Sequence, residues 1–176
     1  MVISRSFALL LLILISCTMR LKPLLIERVD YEGNDFRIDG YYYYFGVTDD
    51  ESYFEVYFFY KNGVAYHSST TGTNCLEIEN HILSEYHLQS MNNVPYRWGV
   101  YKVQGTEIQY SGWSTSVGGP YPAFKREWEI LNDSTLYSRE FDETWHFKEF
   151  SPKPDSTNRF IDANTLRHKP IHRINN

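Results

Sequence analysis

The segment from Tyr53 to Ser68 constrains the fold of this chain most strongly, because it predicts two strands joined by a tight turn. Its first half alternates two rows of side chains at every second position. One row is Phe54, Val56, Phe58 and Tyr60, and the other is Glu55, Tyr57 and Phe59. Asn62-Gly63 follows, and Asn-Gly between two apolar runs is the strongest short signal for a β-hairpin. Residues 64–68 are therefore expected to return as the second strand.

Strands of the same kind recur through the rest of the chain. The segments predicted to be strands are residues 41–45, 53–60, 64–68, 98–103, 106–113, 123–131, 135–141 and 144–150. The chain holds 15 tyrosines, 11 phenylalanines and 4 tryptophans, which favour such pleated, half-buried surfaces. Most connections are tight turns, so neighbouring strands should pair. We therefore expect an all-β domain, an antiparallel meander of about eight strands that forms a closed or nearly closed barrel without exposed edges.

One segment breaks this pattern and predicts a helix inserted after the third strand. Within residues 76–91, the apolar side chains of Ile78, Ile82 and Tyr86 recur four positions apart, which places them on one face of a helix. Two asparagines and Pro95 follow and should end it. The sequence therefore predicts a single helix near residues 76–91.

The first 17 residues have the layout of an export signal. Arg5 supplies a positive charge, residues 7–15 form an unbroken apolar run, and Ser16 and Cys17 follow. The run is about half of the roughly 20 residues that a helix needs to cross a bilayer. We therefore expect a cleaved signal peptide rather than a permanent transmembrane helix.

The end of this signal, Leu14-Ile15-Ser16-Cys17, resembles the lipobox of bacterial lipoproteins. That resemblance implies cleavage before Cys17 and lipidation of its thiol by a diacylglyceryl group, and several acyl chains on one residue anchor a protein stably. Thr18 stands where an aspartate would mark retention at the inner membrane in enterobacterial lipoproteins. The expected location is the bacterial cell envelope, lipid-anchored at the outer membrane.

The resulting domain map has four parts. Residues 1–16 are the signal peptide, residues 17–36 a lipidated N-terminus and tether, residues 37–150 the barrel with its inserted helix, and residues 151–176 an irregular tail. Within the tail, the pattern near residues 161–166 predicts a short helix.

Charge and cysteine content limit the partners and the chemistry. Cleavage of the signal peptide removes one basic residue, Arg5, and no acidic one, so the net charge of −5 becomes −6. An acidic chain of this kind argues against nucleic-acid binding and against attraction to anionic lipids by charge alone. Once Cys17 is acylated, Cys75 is the one remaining thiol, so no disulfide can form within the mature chain. We interpret Cys75 as a small buried apolar residue.

The barrel as a whole resembles a lipocalin, a family that wraps a meander of strands around a cavity for an apolar ligand. The resemblance lies in the architecture. The family's Gly-x-Trp near the first strand is missing, since Gly40 is followed by tyrosines, and the helix here interrupts the strands instead of following them. No ligand-binding residue can therefore be carried over from the family.

Arg126 is the most informative polar residue of the predicted barrel. In the segment 124–130 it shares a face with Phe124 and Trp128, and a buried guanidinium requires an anionic partner. One interpretation is a contact to a ligand carboxylate or phosphate. The other is a pairing with an internal Glu or Asp, or a position near the rim where the charge reaches water. The candidate ligand-binding residues are Arg126, Trp128, Phe124, Trp145 and Tyr137.

Other residues give weaker indications of a binding or catalytic site. Arg139 shares the predicted face of Tyr137 and poses the same question as Arg126. His81 and His87 lie six residues apart, which does not place them on one helical face. The sequence contains no Gly-x-Ser-x-Gly, no His-Glu-x-x-His and no phosphate-binding glycine loop. We therefore predict neither an enzyme nor a metal site, and no cofactor.

Two functions remain after these exclusions. The leading hypothesis is a membrane-tethered, non-enzymatic lipoprotein that binds an apolar or amphipathic small molecule, or a lipid, in its barrel. The alternative is a structural or interaction lipoprotein that contacts an envelope protein through an aromatic surface, because tyrosine and tryptophan also dominate binding interfaces.

Overall fold

The fold is a closed antiparallel β-barrel, as predicted from the sequence. A computed structural model describes residues 21–47, 51–72, 75–115, 120–151 and 153–167. The strands in these ranges are β1 (Gly40–Val47), β2 (Ser52–Phe59), β3 (Val64–Gly72), β4 (Trp98–Gln104), β5 (Glu107–Trp113), β6 (Ala123–Asn132), β7 (Thr135–Ser138) and β8 (Glu143–Glu149). Each strand pairs with the next one along the chain, and β8 pairs with β1 to close the barrel.

The helical segment after β3 differs from the prediction of one continuous helix. It forms two helices, α1 (Cys75–Ile82) and α2 (Glu85–Met91), followed by a single 3₁₀ turn at Pro95–Arg97. Ser84 lies between them, and its hydroxyl accepts a hydrogen bond from the backbone N–H of His87 at 3.2 Å. Serine side chains compete with the helix for backbone partners, so the chain starts a new helix here. The predicted short helix in the tail is present as α3 (Arg159–Arg167).

Both faces of the wall formed by β1–β5 are apolar and covered, whereas the outer face of β6 and β8 is polar and exposed. The inward-facing side chains form one cluster of packed aromatic and aliphatic groups, centred on Tyr57, Phe59, Tyr110, Trp128 and Trp145. The outward-facing side chains form a second cluster beneath α1, α2, α3 and the N-terminal segment; its buried aromatic members are Tyr41, Phe54, Phe58, Tyr60, Tyr66, Trp98 and Trp113. The unusual aromatic content of the chain is therefore divided between two cores.

The two ends of the barrel differ. We call the end at which β1, β3, β5 and β7 finish the mouth, and the opposite end the base. Phe36 closes the base: its side chain is 3% exposed, and its ring lies 5.4 Å from that of Phe59 and 6.2 Å from that of Tyr101. The ring of Tyr31 packs beside that of Phe36, with 4.8 Å between the two ring centroids. The base is thus filled by side chains that precede β1 in the chain.

The segment 21–36, which was predicted to belong to a tether, is instead packed along the barrel; we call it the strap. It begins at the mouth, where Leu21 forms an isolated bridge with Tyr121. Further along, the backbone N–H of Leu25 donates to Ser111 Oγ at 2.9 Å. Its last part hydrogen-bonds to the turn between β2 and β3 at the base. Only the part of the predicted tether before residue 21 lies outside the described residues, together with Cys17 and the signal peptide.

The tail that was predicted to be irregular is also attached to the base. The ammonium group of Lys153 donates to the carbonyl oxygen of Phe59 at 2.7 Å and to that of Ile38. Burial lowers the pKa of Lys153 to about 8, which still leaves it mostly protonated at neutral pH. Ile161 of α3 is fully buried against the outer face of the barrel. The folded domain therefore extends beyond both boundaries, 37 and 150, that the sequence predicted.

Candidate functional site

A buried ion pair lies inside the barrel toward the mouth. Arg126 of β6 points inward beside Trp128, as the alternation of β6 predicted, and its guanidinium donates to Glu55 Oε1 of β2 at 3.0 Å. The two side chains are only 14% and 12% exposed. Of the interpretations of Arg126, pairing with an internal carboxylate is therefore the one that the structure supports.

His67 of β3 completes this group as a neutral hydrogen-bond donor. Its Nε2 lies 2.6 Å from Glu55 Oε1, and its ring stacks on Tyr57 with 4.6 Å between centroids. Burial lowers the pKa of His67 below 6.5, although the Glu55 carboxylate acts in the opposite direction. Burial acts to raise the pKa of Glu55, but the hydrogen bond from His67 and the charge of Arg126 outweigh it and hold that pKa below 4.5. Glu55 is thus an ionised carboxylate between two donors.

Aromatic rings surround the guanidinium of Arg126. It lies 4.7 Å from the ring centroid of Phe141, 5.6 Å from that of Trp145, and 5.9 Å from those of Tyr57 and Trp128. These are cation–π distances. Phe141, in the turn between β7 and β8, is 47% exposed and covers the group at the mouth. A desolvated cation in such a box is stabilised by the rings as well as by Glu55.

Several polar atoms around Arg126 are buried without a hydrogen-bond partner among the described residues. Those in the barrel interior are Tyr57 Oη, Tyr110 Oη, Trp128 Nε1, Ser138 Oγ, Glu143 Oε2 and Trp145 Nε1. We call these six groups the polar ring. The rings of Tyr57, Tyr110, Trp128 and Trp145 touch one another at centroid distances of 4.9–6.3 Å. An unsatisfied buried polar group costs about 1–3 kcal/mol, so these groups require partners, which ordered water or a ligand can supply; the Arg126 guanidinium also acts on the Tyr57 hydroxyl and opposes the rise of its pKa.

Glu143 adds a second carboxyl to the interior. It is 7% exposed and pairs across β7 and β8 with Ser138. Burial raises the pKa of Glu143 above 4.5, while the charge of Arg126 lowers it. The Trp145 indole also lowers that pKa, although its N–H does not reach Glu143 in hydrogen-bond geometry. Glu143 therefore takes up a proton more readily than Glu55 does.

Two glycines explain how Tyr110 reaches the polar ring. Gly99 of β4 and Gly112 of β5 face each other across the strand pair, and the Tyr110 ring lies over both. A Cβ atom at Gly112 would overlap the Tyr110 hydroxyl, and one at Gly99 would overlap the Tyr110 ring. The missing side chains at this pair are therefore what allows the tyrosine to lie flat against the wall.

The predicted ligand-binding residues divide between the two faces. Trp128 and Trp145 are buried in the interior and Phe124 is half-buried beside Tyr110, as expected. Tyr137 was predicted to belong with them, and this is wrong: its side chain faces outward, where its hydroxyl donates to Asp142 Oδ1 at 2.8 Å.

Tyr137 faces outward because of the way in which the short β7 strand pairs with β6. It ends at Ser138, and a bulge in β6 near Leu131 shifts its register, so Leu136 and Ser138 take the inward positions. Arg139 consequently lies beyond the strand, with its side chain 77% exposed and paired with Glu129 at 2.6 Å. It does not share the environment of Arg126.

Sequence patterns indicate Arg126 but not most of the polar groups around it. Glu55 stood in a row with Tyr57 and Phe59, which marked its face as one of two apolar faces, but nothing showed which face was the interior. His67 and Ser138 lie in strands whose alternation is weak, because β3 is small and polar after Tyr66 and β7 has only four residues. Their convergence on Arg126 depends on closure of the barrel, which brings β2 and β3 opposite β6.

Elsewhere, the described residues show few features of a second ligand site, a metal site or a membrane-spanning helix. Two clefts of about 380 and 210 Å³ lie outside the barrel interior. The described residues contain no cluster of three or more His, Cys, Asp or Glu side chains suited to a metal ion. In the same ranges, every helix is too short or too polar to cross a bilayer. No protein family, curated protein or solved structure matches the chain.

The low pKa of His67 predicts that acid destabilises the wild-type protein through this residue. The unfolded chain binds a proton at His67 near pH 6.5, whereas the folded chain binds it only at lower pH. Unfolding therefore takes up a proton as the pH falls through this window, and stability is lost. We expect urea unfolding at about pH 8 and about pH 5.5 to show a larger loss of stability for wild type than for His67→Gln. Equal losses would contradict a neutral buried His67.

Proposed function

We propose that this chain is a membrane-anchored lipoprotein whose barrel binds a small amphipathic molecule at its mouth. The observation that carries the proposal is the polar ring, which gathers unused hydrogen-bonding groups around a cation that is already neutralised by Glu55. Buried polar groups in natural proteins are almost always paired. Because these atoms are buried beneath Phe141, a ligand would pair them once that side chain moves aside, and the aromatic rings would contact its apolar part.

The chemistry of the polar ring suggests what the ligand carries. Tyrosine hydroxyls and indole N–H groups are donors, so a ligand with carbonyl, ether or hydroxyl oxygens would suit them. Because Arg126 is paired with Glu55, a negative charge on the ligand is not required. Aromatic side chains fill the deeper interior down to Phe36, so we place the ligand at the mouth and not along the whole barrel axis.

The alternative, an aromatic surface for an envelope protein, has less support. Most of the aromatic side chains lie in the two cores, and among the described residues Phe45, Tyr86 and Phe141 are the aromatic ones with large exposed fractions. An interface of standard size needs a broader apolar centre than three separated rings.

Tyr110→Phe tests the ligand site directly. The substitution removes a buried hydroxyl that has no partner in the protein, so the free energy of unfolding should stay within about 0.5 kcal/mol of wild type or rise. If the hydroxyl binds ligand, affinity should fall about three- to tenfold. Native mass spectrometry of lipidated protein purified from bacterial membranes would measure the ligand-bound fraction.

The matched control is Tyr101→Phe. Tyr101 Oη donates to the carbonyl oxygen of Tyr60 at 2.9 Å, so this variant should lose about 1 kcal/mol of stability and keep its ligand. Wild-type protein that carries no bound small molecule from the membrane would overturn the proposed function. So would a Tyr110→Phe variant that binds as much ligand as wild type.

The anchor has its own test. We expect Cys17→Ser to release the protein from the membrane fraction almost completely, because the net charge of the chain is negative and charge alone would not hold it there. Fractionation of cells that express wild type or the variant would measure this, with Cys75→Ser as the control that should stay in the membrane fraction. A Cys17→Ser protein that remains membrane-bound would refute the lipid anchor.

A further inference from the structure

The strap enters the folded domain at the mouth. Leu21 bridges Tyr121 in the connection between β5 and β6, and the backbone N–H of Lys22 donates to Tyr121 O at 3.0 Å. The indole N–H of Trp113, the last residue of β5, donates to Lys22 O at 2.7 Å. From there the strap runs to the base, where it hydrogen-bonds to the turn between β2 and β3. The chain that leads from Cys17 thus meets the mouth first.

The distance from the predicted anchor to this point is short. Four Cα–Cα steps separate Cys17 from Leu21, and each spans 3.8 Å, so the two residues lie at most about 15 Å apart. A strand of eight residues such as β2 rises about 26 Å, which keeps the base well away from the mouth. An anchor on Cys17 therefore holds the mouth, and not the base, close to the membrane surface.

Exposed apolar side chains surround the mouth. Val47 ends β1 there with 71% of its surface exposed, and Phe141 is 47% exposed in the turn between β7 and β8. Leu76, in α1 shortly after β3 ends, is 64% exposed. Single exposed apolar residues are ordinary. Three of them lie at the end from which the anchored chain departs, where each could enter the interface of a bilayer.

Charge at the mouth is more acidic than basic, since the connection from β1 to β2 contains Asp49, Asp50 and Glu51, and it does not favour anionic lipid. The turn that carries Phe141 also contains Arg139, Glu140 and Asp142, and Arg139 is paired with Glu129. Contact with a membrane would therefore come from apolar side chains held in place by the lipid on Cys17. A zwitterionic phosphatidylcholine surface is sufficient for such contact.

We propose that the mouth of the barrel faces and contacts the lipid bilayer, so that the polar ring lies at the end of the barrel nearer the membrane and its ligand arrives from the lipid phase. The proposal rests on the lipid anchor and mouth site of the proposed function, and it adds the orientation and the source of the ligand. The ligand would be an amphipathic molecule of the membrane itself, with oxygen acceptors near its head that meet Tyr110 and Trp128.

Site-specific fluorescence quenching tests the orientation. Single cysteines would be introduced as Val47→Cys and Leu76→Cys at the mouth and as Leu131→Cys near the base, in the Cys75→Ser background. All three positions are more than half exposed, so the substitutions and labels should not disturb the fold. The lipidated, labelled proteins would be placed on phosphatidylcholine vesicles that contain a lipid with a nitroxide at its headgroup.

We expect quenching at positions 47 and 76 to exceed that at 131 by about threefold or more, because labels at the base lie more than about 20 Å from the surface. Flotation of the same vesicles measures attachment of the protein to the membrane independently of its orientation. Protein that floats but is quenched equally or more strongly at 131 overturns the orientation and leaves the proposed function standing. Protein that does not float refutes the anchor and the orientation together.

A charge variant provides a second readout. Val47→Glu places a carboxylate at the surface that the proposal puts against the lipid, so quenching of a label at position 76 should fall by about half or more. Leu131→Glu makes the same change near the base and should leave that quenching unchanged. Circular dichroism confirms that each variant is folded. Equal effects of the two substitutions would overturn the proposal.

Discussion

Replacing Arg126 with methionine is expected to destabilise the folded protein by about 3–5 kcal/mol, because the Glu55 carboxylate would remain inside the barrel without its cation. Methionine keeps most of the volume of the side chain, so the loss would report the charge and not a cavity. Urea unfolding at about pH 8 would measure the effect. A loss below about 1 kcal/mol would mean that Glu55 does not depend on Arg126.

The double variant Arg126→Met/Glu55→Gln separates a lost pair from an orphaned charge. It leaves no buried charge at the pair, so it should recover a large part of the stability that the single variant loses. Failure of the second substitution to restore any stability would show that the guanidinium acts through its contacts with Trp145 and Phe141 instead.

The same variant makes a distinctive prediction about pH. In wild type, burial and the charge of Arg126 both lower the pKa of His67, and Glu55 raises it. Without Arg126, a proton on His67 would neutralise Glu55, so the pKa of His67 should rise in the folded state. The variant would then lose less stability than wild type as the pH falls, so the deficit of Arg126→Met should be smaller at about pH 5.5 than at about pH 8. An unchanged deficit would contradict this coupling.

Phe36→Ala should have a similarly large effect, a loss of about 3–5 kcal/mol in the free energy of unfolding. Phe36 is 3% exposed, and its ring packs against Phe59 and Tyr101 at the base. Its removal would open a cavity at the end of the aromatic core that rigid strands cannot close. Phe45→Ala is the matched control, since Phe45 is 36% exposed and should cost about 1 kcal/mol.

This prediction also bears on the limits of the domain. The boundary at residue 37 that the sequence suggested would remove Phe36 and Tyr31 from the base. A protein shortened to that boundary should unfold in much lower urea than one that begins at Cys17. Equal midpoints for the two would show that the strap adds nothing to the stability of the barrel.

How far the sequence predicted the structure depends on the range of the interactions. Each of the eight predicted strands is present, and so is the turn at Asn62-Gly63, where Gly63 has φ of +71°. Alternation with a period of two and the conformational freedom of glycine act between neighbours in the chain. Order of the strands in the barrel followed from short connections, which is again a local property.

The predictions that were wrong depended either on contacts between distant parts of the chain or on a local detail that the pattern of apolar residues does not show. A single serine hydroxyl at position 84 divided the predicted helix into two. A bulge in β6 turned Tyr137 outward. The strap looked like a tether because its apolar residues have no period, and only the outer face of β5 and the base of the barrel explain why they are buried.

The chain by itself determined an antiparallel aromatic barrel and an inward-facing arginine, because alternation along a strand is enough to assign both. Tertiary structure alone decided that Arg126 pairs with Glu55, 71 residues away, and that His67 joins them. In β1 and β2, where both faces are apolar, the faces were indistinguishable until closure of the sheet made one of them the interior. Long-range pairing of buried charges is set by that closure, so it is invisible in any window of the sequence.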